Sequence, residues 1–280
     1  MRTWHKRTPA SGYLQNESRR GARPSPRLLL QVLRKLGFSP AAPATPTAAV
    51  PWKALGLGWI TLCTIGALTT DPPPLARWPE PTDPTDQAEA RLLCAPLPTI
   101  GLLAVHCWLN IRPTHGPWQR WEVWQEYEAG GTAWGHVHQD LADLLDDVGG
   151  DPPTEYARLT GDAADTFARC LQEHAPRYPH RDTYRAWPGP NSNTFIDHLL
   201  RTCHWPTTLP TTAIGKDWRG FVGASTTTTA TGVQLETPLI GLRAGLDEGV
   251  ELHVLTLAFG LDLWPPATLT PFGRFGFPER

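Results

Sequence analysis

The chain has 280 residues, of which 40% are hydrophobic and 19% charged, so most of it can bury a core. The net charge of −2 hides an asymmetry, because residues 1–53 hold ten Lys and Arg but one acid, whereas acids outnumber bases after residue 53. Since the folded part is acidic, nucleic-acid binding is not predicted.

The N-terminal part carries a localisation signal. Residues 1–53 form a basic arm that we predict to be mostly disordered. Residues 54–70 contain no charge, and a helix of that length spans about 25 Å, near the lower limit for a bilayer core. Basic residues precede this segment and acidic residues follow it, which predicts a single-pass transmembrane helix or signal anchor with the N-terminus in the cytoplasm. A cleaved signal peptide and a buried core helix are the alternatives.

The rest of the chain is predicted as a linker, a folded domain and a tail. Residues 71–90 contain six prolines and form the linker. Strand-like runs at residues 100–111, 118–127 and 134–138 precede two helices, at residues 162–174 with Asp162 as the cap and at residues 192–203. Strands at residues 232–236 and 250–257 complete an α+β domain over residues 91–265, with an antiparallel sheet and a few packed helices. Residues 266–280 are the predicted tail.

Neither a metal nor a cofactor is predicted. The chain has five cysteines without C-x-x-C spacing, so zinc is not expected; the four outside the apolar segment are free to pair, in an order that their spacing does not give. His136 and His138 share one face of a strand, but no third ligand accompanies them. The run STTTTATG (residues 225–232) lacks the Gly-Lys-Ser/Thr ending of a phosphate-binding loop.

Two residues far apart in the sequence form a candidate reactive pair. His106 stands inside the apolar run LLAVHCWL (residues 102–109), where a hydrogen-bonded core histidine is the usual finding. Ser192 lies in the stretch WPGPNSNTF (residues 187–195), in which a Pro-Gly-Pro turn precedes a helix start. Asn191 or Ser192 caps this helix. Alternatively, Ser192 is a nucleophile, and the backbone N–H groups of Ser192 and Asn193 receive an oxyanion.

Further residues complete the candidate site. Glu122 falls on the strand after His106 and, in a tight hairpin, on the same face, where it would orient the imidazole. Gln125 and Glu126 are less favoured for this role. The residues predicted to line the cleft and bind substrate are Tyr184, Arg185, Trp187, Asn191 and Asn193.

Four sequence blocks resemble a bacterial family of uncharacterised proteins, the domain of unknown function 3750. They are VHCWLNIRP (residues 105–113), RYPHRDTYRAWPGPNSNTF (177–195), PTTAIGKDW (210–218) and TGVQLE (231–236), and the resemblance extends over roughly residues 98–265. It implies a membrane-anchored or exported protein with no established activity. The expected location is therefore the inner membrane, with the folded domain in the periplasm.

A more distant resemblance concerns the order of the site residues. A strand histidine followed by an Asn-Cys-x-x-Phe-like helix start is similar to circularly permuted papain-like hydrolases and acyltransferases, which include cell-wall peptidases and lipid acyltransferases. Ser192 stands where those families carry cysteine. The resemblance implies acyl or amide transfer or hydrolysis on a cell-envelope substrate, with Ser192, His106 and Glu122 as catalytic residues. The alternatives are a non-catalytic peptidoglycan- or lipid-binding protein and a purely structural envelope protein.

Overall fold

The computed structural model describes residues 52–69 and 87–277, with side chains from residue 56 onward. The described part contains three α-helices, one short 3₁₀ helix at Ala175–Arg177 and thirteen strands in two antiparallel sheets. The predicted α+β class is confirmed, but the strands form two sheets instead of one. The predicted disordered arm and most of the predicted linker lie outside the described residues.

The first sheet carries the candidate site and has the strand order β4-β5-β3-β2-β1-β6. Its strands are β1 (Glu89–Pro96), β2 (Val105–Arg112), β3 (Gln119–Val123), β4 (Thr132–Trp134), β5 (Val137–Gln139) and β6 (Thr154–Thr160). Strand β2 pairs with β1 along its whole length, but its pairing with β3 runs only from Leu109 to Ile111. The edge of β2 around His106 is therefore open on the β3 side.

Two helices cover one face of this sheet. They are α2 (Gly161–His174) and α3 (Ser192–Thr202), and their apolar stripes pack against alternate residues of β2, namely Cys107, Leu109 and Ile111. Helix α2 buries four residues whose spacing places them on one face: Ala164, Phe167, Ala168 and Leu171. The predicted cap Asp162 is wrong, because β6 runs directly into the helix and Thr160 occupies the N-cap position.

The opposite face of the first sheet has a smaller core of Leu93, Ala95 and Trp108. The loop after β5 covers it with Leu145 and Val148, and the Trp108 indole N–H donates to the Leu144 carbonyl at 3.2 Å. Because side chains alternate along a strand, His106 shares this face with Trp108, opposite the face that the apolar stripes of α2 and α3 cover.

One disulfide joins two strands of the first sheet, and a second joins the two helices that cover it. Cys94 on β1 bonds Cys107 on β2, directly opposite in the hairpin register, and Cys170 on α2 bonds Cys203 at the end of α3. Cys63 is the free cysteine of the described part and is buried.

The second sheet is a seven-stranded meander in which each strand pairs with the next. Its strands are β7 (Gly223–Thr226), β8 (Gly232–Glu236), β9 (Ile240–Gly245), β10 (Gly249–Val254), β11 (Leu257–Leu263), β12 (Pro266–Thr270) and β13 (Gly273–Gly276). Strands β12 and β13 replace most of the predicted tail. Its proline and glycine indicate loops, but Pro266 begins a strand, and Gly273 follows a two-residue turn.

Some predicted strand boundaries are also wrong. The strand predicted from residue 100 begins only at Val105, since residues 98–103 form turns in which Leu103 and Ala104 donate backbone N–H groups to Ile100. The strand predicted at residues 118–127 ends at Val123, and the one predicted at residues 250–257 breaks at Leu255 and Thr256, both with positive φ.

Helix α1 (Trp52–Thr69) forms where the membrane segment is predicted. It packs on the second sheet, where the Trp59 indole N–H donates to Thr268 Oγ1 on β12 at 3.2 Å. Among the residues described, no helix combines the length and apolarity needed to cross a membrane. The predicted location of this segment stays a prediction.

Candidate functional site

His106 lies in a buried aromatic setting on β2. Its side chain is 5% exposed, and its ring meets Trp124 edge-on at 5.3 Å and Trp108 at 5.9 Å between centroids. An imidazole held between two indoles has few rotamers open to it. The polar partner of the ring determines which of its two nitrogens is free to accept a proton.

That partner is Glu122 on β3, as the hairpin pattern predicts. Glu122 Oε2 lies 2.8 Å from His106 Nε2, and the carboxylate is 1% exposed. The pairing β2–β3 places Leu109 opposite Trp121, so Glu122 projects to the same face as His106, one diagonal step along the sheet. The contact between the two residues is confirmed; the catalytic role assigned to them stays a prediction.

Arg120 completes this group, although no sequence motif marks it as a site residue. Its Nη2 donates to Glu122 Oε2 at 2.9 Å, while Nε forms an ion pair with Oε1 at 2.7 Å without the direction of a hydrogen bond. The guanidinium stacks 4.1 Å above the Trp108 ring and also donates to the carbonyls of Asp143 and Asp146. The i, i+2 spacing of Arg120 and Glu122 on one strand was the available signal.

Electrostatics fix the protonation of the Glu122 carboxyl. Burial alone would raise the pKa of the Glu122 carboxyl, but the hydrogen bond and charge of His106 and the charge of Arg120 outweigh it and lower that pKa below its usual value. Glu122 is therefore ionised at neutral pH and accepts the Nε2–H of His106. The other ring nitrogen, Nδ1, has no hydrogen-bond partner among the described residues and is the one left to act as a base.

The hydrogen bonds at the start of helix α3 show which residue is the N-cap. Asn191 is the N-cap: its Oδ1 accepts the backbone N–H groups of Asn193 at 3.0 Å and Thr194 at 3.1 Å, and Thr194 Oγ1 accepts the Asn191 N–H at 3.1 Å. Ser192 is therefore the first helical residue. The residue is 6% exposed, and its hydroxyl forms no hydrogen bond within the described chain.

The cap also revises the predicted oxyanion donors. The N–H of Asn193 donates to Asn191, so it is not available as predicted. The N–H of Ser192 has no such partner in the part of the chain described. At the positive end of the helix, this single amide is the donor that remains for a developing negative charge.

Asn193 ties the helix start to the strand of His106. Its Nδ2 donates to the Val105 carbonyl at 2.9 Å, and its Oδ1 accepts the Cys107 N–H at 3.1 Å. The side chain thus occupies the open edge of β2 and bonds the backbone on both sides of His106. Its amide also donates to the Ile214 carbonyl, so Asn193 is engaged within the protein instead of lining a cleft.

The other predicted binding residues face different neighbours. Asn191 is used by the cap and by bonds to the carbonyls of Ala186 and Ile214. Tyr184 is half-buried with its ring 5.7 Å from that of His136, Arg185 is exposed, and the indole N–H of Trp187 donates toward Leu255 and Thr256 in the β10–β11 turn. Within the part of the chain that the structure describes, no hydrogen bond or ring contact joins these side chains to His106.

The histidines at positions 136 and 138 bond to the backbone. Both ring nitrogens of His138 lie near carbonyl oxygens, of Gly130 at 2.9 Å and Glu126 at 3.3 Å, and His136 Nδ1 lies 3.0 Å from the Trp124 carbonyl. These are the contacts of histidines that hold a loop in place.

A second polar cluster, which no sequence motif marks, lies on the inner, buried face of the second sheet. Asp217, Glu251 and His253 have the spacing of metal ligands, but Lys216 Nζ lies 2.8 Å from Asp217 and 3.5 Å from Glu251. His253 sits between Glu251 and Glu236, and although burial lowers its pKa, the neighbouring Asp217, Glu236 and Glu251 raise that pKa to about 9. An ammonium and an imidazolium thus supply the positive charge that a metal would bring.

Comparison with known proteins gives one match. A family model described as protein of unknown function (DUF3750) matches residues 87–218. The matched region contains the first sheet, helices α2 and α3, His106, Glu122 and Ser192, and it ends before the second sheet. The match confirms the expected resemblance to this family over residues 87–218, and the TGVQLE block lies beyond it. No curated protein and no solved structure matches the chain significantly.

Proposed function

We propose that the DUF3750 domain at residues 87–218 is a serine-dependent acyl hydrolase or acyltransferase of the permuted papain-like kind. The observation that carries the proposal is the His106–Glu122 contact at 2.8 Å, which leaves His106 Nδ1 as the free base. Asn193 fixes the start of the helix that bears Ser192 to the backbone on both sides of that histidine. A strand base, an orienting carboxylate and a hydroxyl at a helix start are the parts that nucleophilic catalysis requires.

In this mechanism His106 Nδ1 takes the proton of Ser192 Oγ as the oxygen attacks the carbonyl carbon of an ester or amide. The negative charge that develops on the carbonyl oxygen is received by the Ser192 N–H and by the positive end of α3. His106 then returns the proton to the leaving alcohol or amine. The resulting acyl-serine is released by water in a hydrolase, or by a second alcohol or amine in an acyltransferase, with His106 again accepting the proton.

Glu122 stabilises the charged form of His106 during these steps. Its carboxylate accepts the Nε2–H and stays ionised, because Arg120 compensates its charge. Substrate access requires movement of a covering segment, since His106 and Ser192 are 5% and 6% exposed. Trp124, whose ring abuts the imidazole just after β3 ends, belongs to one such segment.

The proposed location is the periplasmic side of the inner membrane. Two disulfides in the domain are typical of an oxidising compartment. The basic residues before residue 54 and the acidic ones after residue 70 have the asymmetry of an exported domain. A cell-envelope ester or amide is accordingly the proposed substrate class.

Labelling with a fluorescent fluorophosphonate tests the proposal on the purified full chain. We expect covalent labelling of the wild type and none of Ser192→Ala, because Ser192 Oγ is the attacking atom. The described part of the chain has one other serine, Ser225 on β7, so Ser225→Ala is the matched control and should label normally. Equal labelling of the wild type and Ser192→Ala would reject the proposal.

A non-catalytic binding domain is the second candidate. The low exposure of Ser192, 6%, favours it, because a domain that only binds has no need of an exposed nucleophile. Peptidoglycan and lipid are its proposed ligands. It predicts no fluorophosphonate labelling of the folded wild type, and ligand binding unchanged by Ser192→Ala.

A further inference from the structure

The second sheet buries its polar side chains and exposes its apolar ones, which is the reverse of an ordinary half-buried sheet. Its inner face carries buried polar side chains that form a cross-strand row, Gln234, Arg243 and Glu251. Its outer face carries apolar side chains between 43% and 61% exposed: Val233, Leu235, Leu242, Val250, Leu252, Phe259 and Leu261. Antiparallel sheets in water normally bury the apolar side.

The register joins these apolar residues into two continuous rows. Leu235 pairs with Leu242, Leu242 with Leu252, and Leu252 with Phe259. The second row runs through Val233, Ala244, Val250 and Leu261 to Thr268 on β12. We call the part of this surface on strands β8 to β11 the apolar sheet face. Contiguous apolar surface of this extent is rare on soluble monomers.

Helix α1 lies at one end of the same face. Thr268 belongs to the outward row, and it contacts both Trp59 and Cys63 of the helix. A helix is about 10 Å wide, which equals about two strand spacings, so α1 covers β12 and β13 and leaves the apolar sheet face open. The helix is itself apolar on its far side, where Leu57, Ile60, Leu62, Ile65 and Leu68 are exposed.

We propose that the apolar sheet face and helix α1 together form a membrane-docking surface whose partner is a phospholipid bilayer. Because α1 packs on top of β12 and β13, its apolar side chains lie higher above the sheet than those of the apolar sheet face. A fluid hydrocarbon phase can cover both at once. Residues 1–53 contain ten Lys and Arg, nine of them before α1 and Lys53 in its first turn, and these supply charge complementarity to anionic headgroups. The proposal does not depend on the chemistry of Ser192.

Depth measurements on the full chain test this proposal. One variant, Leu252→Cys in a Cys63→Ser background, carries an environment-sensitive fluorophore at the centre of the apolar sheet face. The matched control is Leu102→Cys in the same background, since Leu102 is also an exposed leucine but lies in the β1–β2 turn, outside the apolar sheet face. Both proteins are mixed with phosphatidylcholine–phosphatidylglycerol vesicles containing a lipid spin-labelled near the top of its acyl chain.

We expect the fluorophore at position 252 to lose roughly half or more of its emission, because interfacial docking buries apolar groups about 5–10 Å below the headgroups. The fluorophore at position 102 should change little. Equal quenching at the two positions would overturn the proposal. A different result would also overturn the proposal: emission at position 252 shifts with protein concentration before vesicles are added and does not respond to the vesicles. That result would assign the apolar sheet face to a second copy of the chain.

Discussion

At the start of helix α3, the Asn191 side chain satisfies the backbone N–H groups of Asn193 and Thr194, and Ser192 follows it as the first helical residue. The motif WPGPNSNTF correctly locates the helix start. It does not distinguish Asn191 from Ser192 as the cap, because both are favoured there. The distinction depends on the carbonyls of Ala186 and Ile214, which accept from the Asn191 amide and lie 5 and 23 residues away.

Replacement of Glu122 by glutamine tests the charge on the buried carboxylate. The variant keeps the shape of the side chain but leaves Arg120 without its counter-charge in a buried site. We expect a loss of about 3–5 kcal/mol in the free energy of unfolding, measured with urea. We also expect slower fluorophosphonate labelling at neutral pH, since neutral glutamine no longer stabilises protonated His106. Unchanged stability would show that Arg120 does not need this carboxylate.

At the scale of elements, the junction between α3 and β2 organises the site. Strand β3 leaves β2 at Leu109, and the Asn193 side chain takes over its hydrogen bonds beside His106. The apolar run around His106 predicts a buried strand, and the alternation around Glu122 predicts their shared face. Local patterns cannot predict that an asparagine 87 residues beyond His106 completes the edge of the sheet, because the pairing depends on how the chain folds back.

Asn193→Ala should therefore weaken both stability and labelling. The substitution leaves the Val105 carbonyl and the Cys107 N–H buried without partners, at a cost of about 2–4 kcal/mol. Because α3 is then no longer fixed to β2, Ser192 should label more slowly even at temperatures where the variant is fully folded. Thr202→Ala at the other end of α3 is the control and should affect neither. Normal labelling of folded Asn193→Ala would contradict the role given to this contact.

The two disulfides provide a comparison between elements near to the site and far from it. Removing Cys94–Cys107 opens a link across 13 residues, and removing Cys170–Cys203 opens one across 33. Each double alanine variant should lose about 3–4 kcal/mol of stability, measured by thermal unfolding. Only the first should slow Ser192 labelling, because Cys107 adjoins His106. An equal effect of both pairs on labelling would contradict this local role.

For the whole molecule, the second sheet departs most from what its sequence predicts. The alternation at residues 232–236 and 250–254 correctly predicts strands, but a period of two does not tell which face is buried. Glu236, Arg243, Glu251 and His253 are charged residues that would be expected at the surface, yet they are buried because Lys216, Asp217 and one another compensate their charges. This compensation involves residues from separate parts of the chain, so no local pattern reveals it.

The buried imidazolium of His253 makes stability depend on pH. The pKa of His253 is about 9 in the folded protein and about 6.5 when unfolded. Its contribution of about 3 kcal/mol is therefore complete below pH about 6.5 and is lost as pH rises to about 9. Glu236, Glu251, Asp217 and Lys216 face the ring. Urea unfolding at pH about 6 and about 9.5 should show this decline, and His253→Gln should reduce it. An equal decline in that variant would assign the effect to other groups.

The central claim is that His106 activates Ser192, and the rate of phosphonylation at Ser192 tests it most directly. The rate is measured for the wild type and for His106→Gln, with peptide mapping by mass spectrometry to place the adduct. We predict modification at Ser192 in the wild type and a rate about 100-fold or more lower in His106→Gln, because a positioned general base contributes at least that factor. Equal rates in the two proteins, or an adduct on another residue, would contradict the account.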